Sequence, residues 1–401
     1  MVQLRAESEH TLNPEILELA RHGDPLALTR SLVSTPSVNP QLEEGGSGER
    51  EAATLVAEWL DLWGLDTRIT EISPNRFNVI AKLDGEGPTL LLNGHLDTVG
   101  VGGMTVPPFD AKVEGGRIWG RGSCDMKAGL AAILAATKRL TEEGPRPNLI
   151  VAMTADEEHA SLGMYALVDS FPSADFAIVT EPTHLAVMPA HKGFLWVRAV
   201  FEGHAAHGSR PDLGIDAIRH AALYISALDD YGDQLTSRPA HPLLKHGSVH
   251  AGTIQGGSAA SVYPDVCEIV LERRTMPGER PEKVLQEFQR ILDELRKREG
   301  DLRASLEQML ERPGTEVPED SRLVQGLLEV GQKHGIPPVV EGMTAWVDAA
   351  LLNEIGIPAV CYGPGDIAQA HSADEWVELA QIEKCADVLE SFARDLATQV
   401  S

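Results

Sequence analysis

The chain has 401 residues, of which 43% are hydrophobic and 23% charged, as is typical of a soluble globular protein. This length exceeds the usual size of one domain, so we expect two domains. The 60 acidic side chains outnumber the 34 basic ones and give a net charge of −26, which argues against binding to nucleic acids or anionic membranes because both need a basic surface. Solubility is the simplest explanation of this acidity, although carboxylates that hold divalent cations would neutralise part of it.

The N-terminal segment Met1–Glu9 is charged and contains no apolar stretch that resembles a signal peptide. No run approaches the roughly 18 apolar residues that a membrane helix needs. The four cysteines lack paired spacing, so neither a disulfide framework nor a cysteine zinc site is indicated. We therefore expect a cytoplasmic protein.

The first part of the chain alternates helical and strand patterns. The apolar spacing predicts, in order, a helix over 47–63, strands over 77–83 and 88–93, a helix over 126–140, and strands over 148–153 and 176–179. Strands that alternate with helices in this way favour a largely parallel sheet covered by helices.

The pattern changes near residue 189. It then predicts a strand over 194–201, a helix over 214–228, strands over 246–254 and 266–275, a helix over 281–298 and a strand over 303–310. This order is the split βαβ, ferredoxin-like arrangement.

An α/β pattern returns after a candidate linker at 313–318 and ends in a helix predicted from Asp374. We therefore predict an α/β protein with a discontinuous domain of mainly parallel sheet, residues 1–188 and 312–401. An α+β domain, residues 189–311, is inserted into it.

Charged groups follow several of the predicted strands, where open α/β sheets bind ligands. His95 and Asp97 lie two residues apart on one face of an extended segment, so the carboxylate can accept the second ring proton of the histidine and fix the tautomer that binds a metal. A structural hydrogen-bonded pair explains these two residues equally well. Asp125 precedes the helix predicted over 126–140, where a helix N-cap and a metal ligand are equally good explanations.

Three consecutive carboxylates, Asp156, Glu157 and Glu158, follow another predicted strand and would repel one another unless they were solvated or bound to cations. A solvated acidic turn is the usual explanation. A dinuclear metal site is the more specific explanation, with one glutamate as ligand and its neighbour as general base. Glu181 and His371 are uninformative alone.

Together, these residues supply two imidazoles and three carboxylates at one sheet edge: His95, Asp125, Glu158, Glu181 and His371. A carboxylate that bridges two ions would leave each ion one histidine, one terminal carboxylate, the bridge and an open position, as a catalytic zinc site requires. The sequence therefore predicts two Zn²⁺ ions per subunit. Co²⁺ and Mn²⁺ are alternatives, because carboxylate-rich sites discriminate poorly between metals.

The order and spacing of these segments resemble the zinc aminoacylase family, which includes acetylornithine deacetylase, succinyl-diaminopimelate desuccinylase, aminoacylase and carboxypeptidase G. The resemblance extends from about residue 28 to the last helix and implies a zinc-peptidase-like catalytic domain. It implies one zinc on His95, Asp125 and Glu181, and the other on Asp125, Glu158 and His371.

The resemblance also implies roles for the neighbouring residues. Asp125 would be the bridging ligand and would be followed by a cis peptide bond. Glu157 would be the general base, and Asp97 would orient His95.

The inserted domain resembles the dimerisation, or lid, domain of the same family. His207, in Gly203–Ser209, matches a histidine that reaches the active site of the partner subunit and stabilises the oxyanion, although its own sequence context favours an ordinary surface histidine. Arg274 matches an arginine whose planar guanidinium binds the carboxylate of the substrate. Its neighbour Arg273 is expected to face outward, and a shift of the strand register by one residue would exchange the two. Ser261 replaces an asparagine that family members often carry, which leaves the substrate open.

These residues predict a homodimeric enzyme of amino-acid metabolism that hydrolyses the amide bond of a small N-acyl amino acid. A dipeptidase or a carboxypeptidase-type metallopeptidase could use the same ligands. An inactive metal-binding scaffold is a third hypothesis, but the filled ligand and base positions argue against it.

Overall fold

The computed structural model describes residues 13–170 and 174–398, so the segment Met1–Glu9 considered above lies outside it. The chain divides into two compact units. The first contains the described residues up to Pro189, residues 317–341 and those from Val347 onward. The second contains residues 190–316 and 342–346. The domain bounds predicted from the sequence differ from this division at residues 312–316 and 342–346, which they place in the first domain.

The helices are α1 (Pro14–Arg21), α2 (Pro25–Val33), α3 (Arg50–Leu62), α4 (Ala128–Leu140), α5 (Leu162–Ser170), α6 (Ala217–Ser237), α7 (Pro281–Arg298), α8 (Arg322–Lys333), α9 (Ala349–Glu354) and α10 (Leu379–Thr398). The strands are β1 (Asp66–Ser73), β2 (Arg76–Leu83), β3 (Thr89–His95), β4 (Lys112–Glu114), β5 (Arg117–Trp119), β6 (Asn148–Thr154), β7 (Phe176–Val179), β8 (Val187–His191), β9 (Gly193–Glu202), β10 (Ser248–Gly256), β11 (Val266–Thr275), β12 (Arg303–Arg312), β13 (Thr315–Glu316), β14 (Val340–Met343), β15 (Ala359–Cys361) and β16 (Trp376–Glu378).

The sheet of the first unit has the order β1-β2-β6-β3-β7-β15-β8. Its central strands β6, β3, β7 and β15 are parallel, and the strands at either edge pair antiparallel. The predicted α/β class with a mainly parallel centre is therefore confirmed. The central strands are almost wholly buried, which explains why they read as continuous apolar runs in the sequence.

Several elements differ from those predicted. The last helix starts at Leu379 and not at Asp374, because Trp376–Glu378 pairs with β5 as an edge strand. The short helices α1 and α2 were not predicted, although each has proline in its first turn. Their N-caps, Asn13 and Asp24, also accept a backbone N–H.

The second unit has the chain order β9-α6-β10-β11-α7-β12 and an antiparallel sheet of order β10-β11-β9-β12. This is the ferredoxin-like arrangement that its sequence pattern predicts. Alternate residues of β9 and β11 are buried and pack with α6 and α7 in one apolar cluster. Among the described residues, no helix combines the length and apolar character needed to cross a bilayer.

Helix α4 is buried along nearly its whole length and packs closely against the end of β7. A Cβ atom added at Gly129 would lie 2.2 Å from the carbonyl oxygen of Thr180 and 2.6 Å from its Oγ1. These distances are shorter than van der Waals contact, so only glycine allows this approach. The contact fixes the turn that carries Glu181.

We expect Gly129→Ala to lower the free energy of unfolding by about 1–3 kcal/mol through overpacking, even though alanine favours helix. Gly232→Ala in α6 is the matched control, because its added Cβ would meet only Val249 Cγ1 at 3.7 Å. This control should gain about 0.5–1 kcal/mol. Urea unfolding measures both values, and a Gly129→Ala protein as stable as the parent would contradict the close approach.

Candidate metal centre

Three neighbouring parallel strands bring four of the predicted site residues to one edge of the sheet. His95 is the last residue of β3, while Glu157 and Glu158 follow β6 and Glu181 follows β7. Strand β3 pairs in parallel with both β6 and β7, so the three carboxyl ends are adjacent. The topology therefore brings these side chains together, as the sequence predicts.

Asp125 lies in an irregular turn over Ser123–Lys127, directly before α4, and the Asp125–Met126 peptide bond is cis. The N-cap of α4 is Lys127, without a side-chain capping bond, so the alternative explanation of Asp125 as a helix cap is wrong. The turn is held by Glu375: its Oε1 accepts the N–H groups of Cys124 and Asp125 at 2.8 and 3.0 Å.

Glu375 joins this turn to the segment that carries His371. Its Oε2 accepts the N–H of Gly122 at 2.9 Å and pairs with Arg121 Nη1 at 2.7 Å. The sequence pattern assigns no role to Glu375, which lies four residues after His371. The signal in the sequence was a carboxylate close to a candidate ligand, and its burial is evident only in the structure.

Two groups of potential ligands share Asp125. One is His95, Asp125 and Glu181, the other is Asp125, Glu158 and His371, and the ligand atoms of each group lie within 4.8 Å of one another. Asp125 Oδ1 lies 3.2 Å from His95 Nε2, and Asp125 Oδ2 lies 3.4 Å from His371 Nε2. Each oxygen of Asp125 thus faces a different imidazole, which is the arrangement that a bridging carboxylate needs.

The electrostatics of these residues fit a pair of cations. Glu158 Oε1 and Glu181 Oε1 are buried and accept no hydrogen bond from the described residues. Burial, with the charge of Asp125, raises the pKa of Glu158 to about 7 and that of Glu181 to about 8. Burial also opposes ionisation of Asp125, but hydrogen bonds from His371 and His95 outweigh it and lower its pKa. Divalent cations would compensate these charges.

His95 is oriented differently from the prediction. Its Nδ1 lies 3.0 Å from the main-chain carbonyl oxygen of Asp97, whereas the nearer carboxylate oxygen of Asp97 is 3.7 Å away. A carbonyl oxygen can only accept, so Nδ1 carries the proton and Nε2 is left to bind a metal. The carboxylate of Asp97 instead accepts the backbone N–H groups of Glu157 and Glu158, at 3.1 and 3.3 Å.

Glu157 is half-buried beside these ligands. Burial, followed by the negative charge of Glu181, raises its pKa well above the usual value. A carboxylate in this environment readily holds a proton, which is the property required of a general base that later acts as an acid.

His207 and Arg274 both lie in the second unit. His207 is exposed, and its Nδ1 accepts the backbone N–H of Ser209 at 3.2 Å, so the neutral ring carries its proton on Nε2. Backbone bonding links this loop to Ser261, whose carbonyl oxygen accepts the N–H of Gly208 at 2.7 Å. Arg274 is half-exposed and stacks over Phe194, 5.3 Å from the ring centroid.

Arg273 does not face outward, so that expectation is wrong. It is 1% exposed and bonds to Tyr231 and Glu279, on the face of β11 that packs on the helices. Arg274, on the opposite face, uses Nε to bond Glu272 at 2.7 Å. Its two Nη atoms, which form the fork that grips a carboxylate, make no hydrogen bond within the described residues.

The chain is similar in sequence to known proteins over most of its length. The family described as Peptidase family M20/M25/M40 matches residues 91–395. Acetylornithine deacetylase of Proteus mirabilis is 30% identical over 376 residues, which cover 91% of this chain and 94% of that protein.

Two solved structures share the fold. A tripeptidase of Staphylococcus aureus superposes with a TM-score of 0.76 at 22% identity, over 94% of this chain and 99% of that one. A dinuclear metal-binding peptidase of Bacillus subtilis gives a TM-score of 0.73 at 18% identity, over 95% of this chain and 100% of that one.

The raised carboxylate pKa values predict how the metal-free protein responds to pH. Folded Glu158 and Glu181 keep protons that the unfolded chain, with a glutamate pKa of 4.5, has already released. The pKa of His371 is raised to about 10 by Asp125 and Glu158, so this residue also lowers the stability of the folded protein as the pH rises above 6.5. The stability of the metal-free protein should therefore fall from about pH 4.5 to about pH 10.

Thermal unfolding of the chelator-treated protein across this range measures the effect. Saturating Zn²⁺ should reverse the slope, because metals bind the deprotonated ligands. The double variant Glu158→Gln, Glu181→Gln should have a shallower slope than the metal-free parent, because Glu157 and His371 still titrate in it. A metal-free Tm that rises with pH would contradict the burial of these carboxyl groups.

Proposed function

Because the chain belongs to peptidase family M20/M25/M40, we propose that it hydrolyses the amide bond of an N-acyl amino acid with two bound zinc ions. Hydrolysis of amide bonds is the activity of this family, and the chain is a metal-dependent hydrolase of that kind. The two ligand groups that share Asp125, with Glu157 beside the ligand Glu158, are the observation that carries the proposal.

In this proposal His95, Asp125 and Glu181 hold one cation, and Asp125, Glu158 and His371 hold the other. When bound, the cations supply a Lewis acid that polarises the amide carbonyl and lowers the pKa of water. Glu157 takes the proton of the attacking water on its carboxylate and passes it to the departing amine nitrogen. The burial that raises the pKa of Glu157 favours this temporary storage of a proton.

The substrate part of the proposal draws on the second unit and on the deacetylase relative. The free Nη fork of Arg274 would bind the carboxylate of an N-acyl amino acid through two parallel hydrogen bonds. The Nε2–H of His207 would donate to the oxyanion at the active site of a partner subunit. Strand β10 is an edge strand of the second unit and is exposed along its length, which suits pairing with a second copy in a cytoplasmic homodimer.

Glu157→Gln should lower kcat by about 10²–10⁴-fold, because the amide retains the shape but cannot accept the proton of water. Metal analysis should still find the full metal content, since Glu157 is not a ligand in this proposal. Glu142→Gln, an exposed glutamate on the surface, is the matched control and should leave kcat unchanged. Full turnover by metal-loaded Glu157→Gln would overturn the role of general base.

Arg274→Ala should raise KM by about 10- to 100-fold, as expected for the loss of about 1.5–3 kcal/mol of charged hydrogen bonding. The effect should appear with N-acetyl, N-succinyl and N-carbamoyl amino acids and vanish with their carboxamides, which lack the charge. Steady-state hydrolysis of this panel and of free dipeptides measures it. A preference for dipeptides would assign the site to a peptidase, and equal KM values for acids and carboxamides would contradict the role of Arg274.

A further inference from the structure

A buried cluster of charged and polar side chains lies behind the candidate metal centre. Arg76, 3% exposed, opens β2, and its Nε donates to both carboxylate oxygens of Glu49 at 2.8 and 2.9 Å. Its Nη1 lies 2.8 Å from Asp156 Oδ1, and its Nη2 lies 3.6 Å from Asp97 Oδ2. One guanidinium therefore faces three carboxylates, each 0% exposed.

Asn39 ties two of these carboxylates together. Its Nδ2 donates to Asp97 Oδ2 at 2.8 Å and to Asp156 Oδ1 at 3.0 Å. Its Oδ1 accepts from Arg76 Nη1 at 2.8 Å, which fixes the orientation of the amide. Asn39 is fully buried, so water cannot replace these bonds.

The cluster is hydrogen-bonded to the backbone of Glu157 and Glu158. Asp97 accepts the N–H of Glu157 on Oδ1 and the N–H of Glu158 on Oδ2. Asp156, directly before them, has a φ of 70°, a left-handed conformation that non-glycine residues rarely adopt. Its side chain is held by Arg76 and Asn39, and its carbonyl oxygen accepts the N–H of Ala160 at 3.0 Å. Such a conformation persists when its surroundings hold it.

We propose that Asn39 and Arg76 are positioning residues that set the placement of Glu157 relative to Glu158. They act through Asp97, which accepts the backbone N–H groups of Glu157 and Glu158, and through Asp156, which directly precedes Glu157 in the chain. This inference rests on the proposed role of Glu157 as the general base. Arginine is required, because a lysine ammonium cannot present the planar fork that reaches Glu49, Asp156 and Asp97 at once. Misplacing a catalytic group by about 1 Å can cost about 100-fold in rate.

Asn39→Ala is the primary test, because it removes the shared donor while leaving every ion pair in place. In the zinc-loaded protein, in the oligomeric state in which it is isolated, kcat for an N-acetyl amino acid should fall by about 10- to 100-fold. KM should change by less than about threefold, since substrate binding is untouched. In the metal-free protein, hydrogen exchange at the amides of Glu157 and Glu158 should be faster than in the parent.

Val330→Ala, in the core of α8 and away from the cluster, is the control for lost stability. It should leave kcat and the exchange at Glu157 and Glu158 unchanged. Arg76→Lys should lower kcat at least as far as Asn39→Ala, and a folded Arg76→Lys protein with parental kcat would overturn the proposal. So would an Asn39→Ala protein that retained parental kcat.

A parallel assay of Glu157→Gln separates this inference from the proposed function. If Glu157→Gln is inactive while Asn39→Ala retains parental kcat, the positioning role is wrong and the general base stands. If Glu157→Gln is fully active, the proposed general base is wrong, and the positioning role that rests on it is overturned as well.

Discussion

The repulsion between carboxylates gathered at one end of a parallel sheet is the constraint on which the rest of the structure depends. Strands β6, β3 and β7 end side by side and deliver Glu158, His95 and Glu181 to a volume that excludes most water. Carboxylates in such a place either hold protons or need cations, and the raised pKa values of Glu158 and Glu181 express that requirement. The imidazoles of His95 and His371 compensate part of this negative charge, because each lies against a different carboxylate oxygen of Asp125.

Much of this arrangement could be predicted from the sequence because it depends on strand ends. Buried parallel strands read as apolar runs, and a charged residue directly after such a run lies at the carboxyl edge of the sheet. His95 and Glu181 closely follow such runs, and Glu158 lies in the turn after one. The ferredoxin-like unit was predictable for a similar reason, since period-two alternation in β9 and β11 marks which residues face the helices.

What escaped prediction depends on distances of about an ångström or on pairing between distant segments. The partner of His95 Nδ1 is a carbonyl oxygen, which every residue possesses, so no side-chain pattern could distinguish it from the carboxylate of Asp97. Arg273 and Arg274 are adjacent, and only the register of β11 against β9 decides which one is buried. Arg76 and Asn39 lie in stretches with no charged motif, and their role emerges only from the bonds that they make.

The bond between Glu375 and the Asp125 turn has a consequence for how the protein is made. Glu375 and Asp125 are 250 residues apart in the chain, and His371 and Glu158 are 213 apart. On the ribosome, the first half of the sheet emerges long before the segment that completes the site, because the whole second unit is synthesised in between. A nascent chain therefore contains Asp125 and Glu158 before His371, the histidine that pairs with both, has been synthesised. In the proposed function, the ligand group of Asp125, Glu158 and His371 could hold a cation only after the segment that carries His371 and Glu375 has been synthesised and has docked.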